Sequence, residues 1–228
     1  MTDQATPTPE TGSPDQSPRE LIIAAFMALL AEKPIEHIER TEIAKRAHVS
    51  LSALRSEFSS SFAILSAHVK EIDRAVLEHG ASGDMADEPP RERLFDVLMR
   101  RIELLEPNKA AIRSVARSMT RDPVLAFALN GLAMRSQQWM LAAADISTSG
   151  PTGTVRAQGL ALLFASVLRT WLADDDPGHA RTMAALDRAL GRGQRCASFL
   201  DNVLGIPQRL CRARRGRRRK ADEETVSA

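Results

Sequence analysis

The residues whose types could do chemistry fall into three groups: histidines, cysteines and clusters of arginine. His37, His48, His68, His79 and His179 never stand at His-Glu-x-x-His spacing, so they do not describe a hydrolytic zinc site. Cys196 and Cys211 are the only cysteines, too few for a zinc-ligand set or a disulfide framework. No glycine-rich phosphate loop or nucleophile elbow arranges the available Ser, His and Asp side chains. The sequence therefore predicts no enzyme, no metal and no cofactor. What remains is cationic. Arg40 and Arg55 bracket a serine-bearing segment, and Arg113, Arg117 and Arg121 share one helix face as a solvated ridge. From Arg209 to Lys220 eight cations occur without an acid, a run suited to the phosphates of DNA or to anionic lipid headgroups.

That run also explains the charge balance. The 228 residues carry a formal +2, but setting aside the basic run and the acids Asp222, Glu223 and Glu224 leaves residues 1–208 at about −3. A basic isoelectric point thus belongs to the tail and not to the body. Aromatic content is 4% with no Tyr, which argues against a tyrosine-rich β-sandwich. The apolar stretch from Gly159 to Leu168 stops at Arg169, too short for a bilayer span. The expected location is cytoplasmic. Residues 1–17 are Pro-rich and lack large aliphatic residues after Met1, a composition predicted to be disordered.

Helical periodicity begins at Pro18, where Leu21, Ile22, Ala25, Phe26, Leu29 and Leu30 recur at three- and four-residue spacing. Lys33-Pro34 ends that helix. Short helices are predicted from Arg40 to Ala47 and, after His48-Val49-Ser50, up to Glu57, then a longer one from Ser60 to His79. The stretch from Gly80 to Pro90 is the clearest linker. Five further helices are predicted over 91–105, 107–120, 123–143, 152–173 and 178–200, the third and fifth opened by the caps Asp122-Pro123 and Asp176-Pro177. No stretch alternates with period two. The predicted class is all-α.

The segment from Thr41 to Phe58 carries the functional information. Two helices of two turns joined by three residues can cross steeply only if the first presents small residues, here Ala44 and Ala47. The turn needs positive φ, which His48 tolerates better than most residues other than glycine. Val49, Leu54, Ile43 and Phe58 then share a mini-core, and Ser50 caps the second helix. This is a helix-turn-helix pattern that leaves Leu51, Ser52, Arg55 and Ser56 facing outward, with Arg40 and Thr41 at the start of the first helix.

An amphipathic helix, then IERTEIAKRAHVSLSALRSEF, then a long helix opening with FAIL, resembles the DNA-binding region of the TetR family of bacterial repressors over residues 18–70. The resemblance implies a three-helix DNA-binding domain over 18–70 and a helical ligand-binding and dimerisation domain over 71–205; composition predicts a basic disordered tail over 206–228. Its implied partners are a double-stranded DNA operator, a small apolar effector and a second copy of the chain. DNA contacts would come from Arg40, Thr41, Ser50, Leu51, Ser52, Arg55 and Ser56. Three positions depart from the family pattern: Arg55 replaces an aromatic residue, Ser61 a lysine and His48 the turn glycine. Arg55 restores a phosphate contact with a bidentate fork, whereas Ser61 gives up roughly one neutralised phosphate per subunit.

The segments PPRERLFDVLMRRIELLEP and VRAQGLALLFASVLRTWLADDDPGHARTMAALDRAL look like a branch related to the TetR-fold lipid-binding accessory protein of ubiquinone biosynthesis. This implies an alternative function, an isoprenoid-lipid carrier that no longer reads DNA. Phe95, Met99, Met119, Phe127, Met134, Phe164 and Trp171 are the candidate ligand-lining residues, since large apolar and flexible thioether side chains suit an alkyl chain. Small residues Gly159, Ala161, Ala165, Ser166, Ala180, Ala184, Ala185 and Ala189 predict pairing of two chains through helices 152–173 and 178–200.

Overall fold

A computed structural model describes residues 17–80 and 88–193, with backbone only at 79 and 80. The expectations for residues 1–16, for the linker core 81–87 and for everything beyond 193, including both cysteines and the basic run, lie outside the described residues. Among the described residues the architecture is all-helical. In chain order the helices are α1 (Pro18–Glu32), α2 (Arg40–Arg46), α3 (Leu51–Glu57), α4 (Ser61–Gly80), α5 (Pro90–Leu105), α6 (Lys109–Met119), α7 (Pro123–Ala143) and α8 (Gly150–Leu172). The last, α9, is described over residues 180–193.

The chain divides into two compact units. The first comprises residues up to 78 together with 103–132, and the second 79–102 with the residues from 133 onward. The division falls inside α4, α5 and α7 and places α6 with the amino-terminal helices, a grouping that a linear boundary at residue 70 does not contain.

In the first unit the core forms on α1. Ser17 accepts from the Glu20 amide while Glu20 returns a bond to the Ser17 amide, a reciprocal cap that satisfies two donors at the helix start. Ile22, Phe26 and Leu30 are fully buried and meet Ile43, Leu54, Phe58, Ile64 and Ala111 in one cluster. Each large side chain buried in this way contributes roughly 1.5–3 kcal/mol, against about 0–1 kcal/mol for an exposed ion pair. Apolar burial therefore sets the positions of these helices, and charge pairs only trim them. The Ser114 hydroxyl donates to the Lys33 carbonyl at 3.2 Å and the Ser118 hydroxyl to the Glu36 carboxylate at 2.8 Å. These two bonds lock α6 to the end of α1 and the short 3-10 turn that follows it.

The second unit buries Leu98, Ile102, Met140, Trp171 and Leu186, with Phe164 beneath the Arg101 guanidinium at 5.6 Å from the ring centre. Its last connection corrects the expected start of α9. Pro177 is not a first helical residue. Asp176 instead accepts from the Gly178 and Ala180 amides, and His179 takes φ 51, so the chain turns until residue 180. The buried Asp174 carboxylate then accepts from both the Thr182 amide and the Thr182 hydroxyl, at 3.0 and 2.7 Å. Asp122 does cap α7, accepting from the Val124 and Leu125 amides.

Within the first unit, the α2–α3 turn depends on one residue. His48 has φ 54, a left-handed conformation that costs a β-branched side chain about 1–2 kcal/mol. His48→Ile is expected to lower thermal stability by that amount, while His48→Gly keeps it within about 0.5 kcal/mol because relief of strain offsets chain entropy. Thermal unfolding of the three proteins checks this.

Candidate nucleic-acid interface

The interface is built from α2, its turn and α3, set on α1. Ala47 ends α2, His48 turns the chain, and the Val49 amide bonds back to the Ala44 carbonyl at 3.0 Å. Ala44 and Ala47 are buried under the crossing, where larger side chains would separate the two helices. Ser50 caps α3 by accepting from the Ala53 amide at 3.1 Å. Leu54 points inward, and Phe58, directly after α3, is buried with the Arg19 guanidinium 4.7 Å from its ring centre.

Arg40, Thr41, Ser50, Leu51, Ser52, Arg55 and Ser56 are all exposed, and the backbone brings them together on α2 and α3. Leu51 leaves 52% of its surface in solvent. The hydroxyls are locally engaged. Ser50 and Ser52 share a 2.8 Å contact, Ser56 donates to the Ala53 carbonyl and Thr41 to the Glu39 carboxylate. Among the described residues neither Arg40 nor Arg55 forms an ion pair, so both guanidinium forks are open to an external anion. Sequence reasoning passed over Lys45, which is exposed one turn after Thr41 on α2. The four-residue spacing from Thr41 was the available signal.

Other cations nearby are committed to the fold. Lys33 reaches both oxygens of Glu42, at 2.5 and 2.6 Å, while Glu42 also accepts from the Glu39 amide. Arg46 pairs with Glu32 at 2.5 Å. These contacts tie both ends of α2 to the end of α1. The Lys33 ammonium, then the Glu39 amide, holds the Glu42 carboxyl below the ordinary range, and Arg46 does the same for Glu32.

The residues expected to line a ligand site divide between the units. Met119 and Phe127 belong to the first, and Phe95, Met99, Met134, Phe164 and Trp171 to the second. Phe164 and Trp171 are buried, while Phe95, Met99 and Met134 are half-buried. Phe127 is 81% exposed. The inward line of α7 runs through Leu129, Leu132, Ser136 and Met140, and Phe127 stands two residues off it, about 200° round the helix. Met119 is exposed for the same kind of reason, lying next to the buried Ser118. Trp139, further along α7, is also exposed.

A short helix-turn-helix held on a preceding helix, with every described element helical, is an architecture found among DNA-binding proteins. No family model matches the chain, and no curated protein matches it. Among solved structures it is similar to a TetR transcriptional regulator from Nitrosomonas europaea, with 20% identity and a TM-score of 0.63 over 78% of this chain and 99% of the other. A TetR transcriptional regulator from a Rhodococcus species gives 24% identity and a TM-score of 0.57 over 77% and 95%. A TetR-family regulator from Streptomyces coelicolor gives 14% and 0.55 over 86% and 88%. The chain has the fold of the TetR-type regulators.

The lowered carboxyls give the amino-terminal unit an acid limit. A group whose folded pKa is depressed stabilises the fold above its unfolded value, and that stabilisation is lost as pH falls through the folded one. Glu42→Gln is therefore expected to lower the unfolding temperature near pH 7. Its deficit against the parent protein shrinks as pH drops below the ordinary glutamate value of about 4.3. Unfolding midpoints measured from pH 7 to pH 3 check the convergence.

Proposed function

We propose that this chain is a homodimeric, ligand-responsive DNA-binding transcriptional regulator that acts as a repressor. The observation that carries the reading is the exposed α2–α3 surface with its two uncommitted arginines. A seven-residue recognition helix with Leu51, Ser52, Arg55 and Ser56 outward matches the reach of a major groove. In this reading Arg55 and Arg40 hold phosphates, which fix register, and Ser52, Ser56 and Leu51 meet base edges.

Dimerisation supports two such helices on a pseudo-palindrome. On α8, Val155, Gly159, Leu162 and Ala165 form an exposed apolar stripe, and on α9 Ala180, Met183 and Ala184 do the same. The expected seam is narrower than the sequence suggested, since Ala161 and Ala189 are buried in the chain's own core and Ala185 is half-buried. The proposed effector is a small apolar molecule held in the second unit by Phe95, Met99 and Met134, with Phe164 and Trp171 behind them. It would bias α4, and with it the recognition helix, by no more than its differential affinity for the two states.

Fluorescence anisotropy with a duplex from the gene's own upstream region tests the reading. Arg55→Ala is expected to weaken binding to a similar degree across duplex sequences and to lower the salt slope by about 1, while Arg113→Ala, on α6, leaves binding unchanged. Equal binding by both variants and the parent protein rejects the role of Arg55, and no preference for the upstream duplex over random DNA rejects the regulator.

The seam makes a separate expectation. Ala165→Trp or Ala184→Trp should convert dimer to monomer in sedimentation at micromolar concentration, because overpacking a close interface costs about 1–3 kcal/mol. A parent protein that sediments as a monomer refutes the arrangement.

A further inference from the structure

We propose that the open cleft between the start of α5 and the outer side of α9 binds a phosphate-bearing ligand. The cleft holds about 430 Å³ and is lined by Arg91, Asp187, Arg188, Gly191 and Arg192, all within the second unit. It lies apart from the α2–α3 surface, and its cationic lining differs in kind from the apolar residues assigned to the effector.

Two facts separate this cleft from an ordinary solvated arginine face. First, its charges come from two helices, and one of them is fixed. Arg91 pairs with Glu92 at 2.5 Å and with Asp187 across to α9, so among the described lining residues the carboxylate, Asp187, is already engaged. Those two acids also hold the Arg91 guanidinium firmly in its charged form. Second, Arg188 and Arg192 are exposed and form no ion pair among the described residues. At four-residue spacing their Cβ atoms stand about 5–6 Å apart, so two forks of planar donors can converge on one ligand.

Guanidinium forks match phosphate oxygens bidentately, which gives geometric selection as well as charge. Beside the two forks, on the Asp187 side of α9, lies Gly191, where a side chain would meet nothing within 4 Å. The floor of the cleft is therefore open, and a larger residue there would occupy ligand space without straining the helix. The volume falls within the range of small-molecule sites and exceeds what a lone phosphate fills. A phosphate group carried on a larger molecule, whether a soluble metabolite or a lipid headgroup, supplies the shared chemistry.

Isothermal titration of the full chain with inorganic pyrophosphate at low salt is the test, alongside co-sedimentation with vesicles containing phosphatidic acid. The variants are R188E/R192E and G191L, both of which keep the basic run from Arg209 to Lys220, so its contribution is common to all three proteins. Saturable pyrophosphate binding by the parent protein, weakened at least tenfold in both variants with unchanged unfolding midpoints, supports the site. Loss of vesicle binding in the same variants adds a lipid headgroup as the source, and unchanged vesicle binding assigns the site to soluble ligands. Should the charge reversals fail to fold, R188K/R192K keeps the charge, removes the forks and is expected to bind several-fold more weakly. Identical isotherms for all proteins, or acetate binding as tightly as pyrophosphate, overturns the proposal.

Discussion

Helices of seven residues have no stability of their own in water, and both helices of the candidate interface, α2 and α3, are of that length. Their existence depends on burying Ile43, Ala44, Ala47, Leu54 and Phe58 against the inward face of α1. Steric closeness at the crossing admits only small residues at positions 44 and 47, and the turn admits only a residue that accepts φ 54 at position 48. Remove the apolar support and the exposed serines and arginines lose the fixed spacing that would let them address DNA.

The distribution of charge follows from that scaffold. Lys33 and Arg46 are drawn into pairs with Glu42 and Glu32 because the end of α1 and the two ends of α2 are held close. Arg40 and Arg55 lie where no acid of the described chain reaches. The same residue type thus serves as a brace in one place and as an open contact in another. The neighbouring helix decides which role it takes. A similar division holds in the second unit, where Arg91 is committed to Asp187 while Arg188 and Arg192 are left open.

Along α8 and α9 the small residues do two jobs that composition cannot separate. Ala157, Ala161 and Ala189 let helices of one chain approach closely, and they are buried accordingly. Gly159, Ala165, Ala180 and Ala184 face outward among Val155, Leu162 and Met183, an apolar surface of the kind that marks an interaction site on an otherwise polar protein. Which alanine belongs to which set depends on helix phase, and phase is fixed by the large side chains, Phe164 and Trp171 on α8 and Leu186 on α9.

The sequence by itself determined the helices and their order, because three- and four-residue spacing, Pro starts and Asp or Ser caps are local properties. It also determined the helix-turn-helix, since Ala44, His48, Ser50 and Leu54 lie within one short window and their constraints are mutual. Tertiary structure decided what no window contains. It placed α6 on α1 through Ser114 and Ser118, bonds that join residues more than eighty positions apart. It turned Phe127 and Trp139 outward, although their apolar character suggested burial, because α7 has more apolar positions than its one inward line can bury. It delayed α9 to residue 180, because Asp176 satisfied the turn amides before a helix could begin. Periodicity marks which faces are apolar, but which of them finds a partner is settled only by what packs against it.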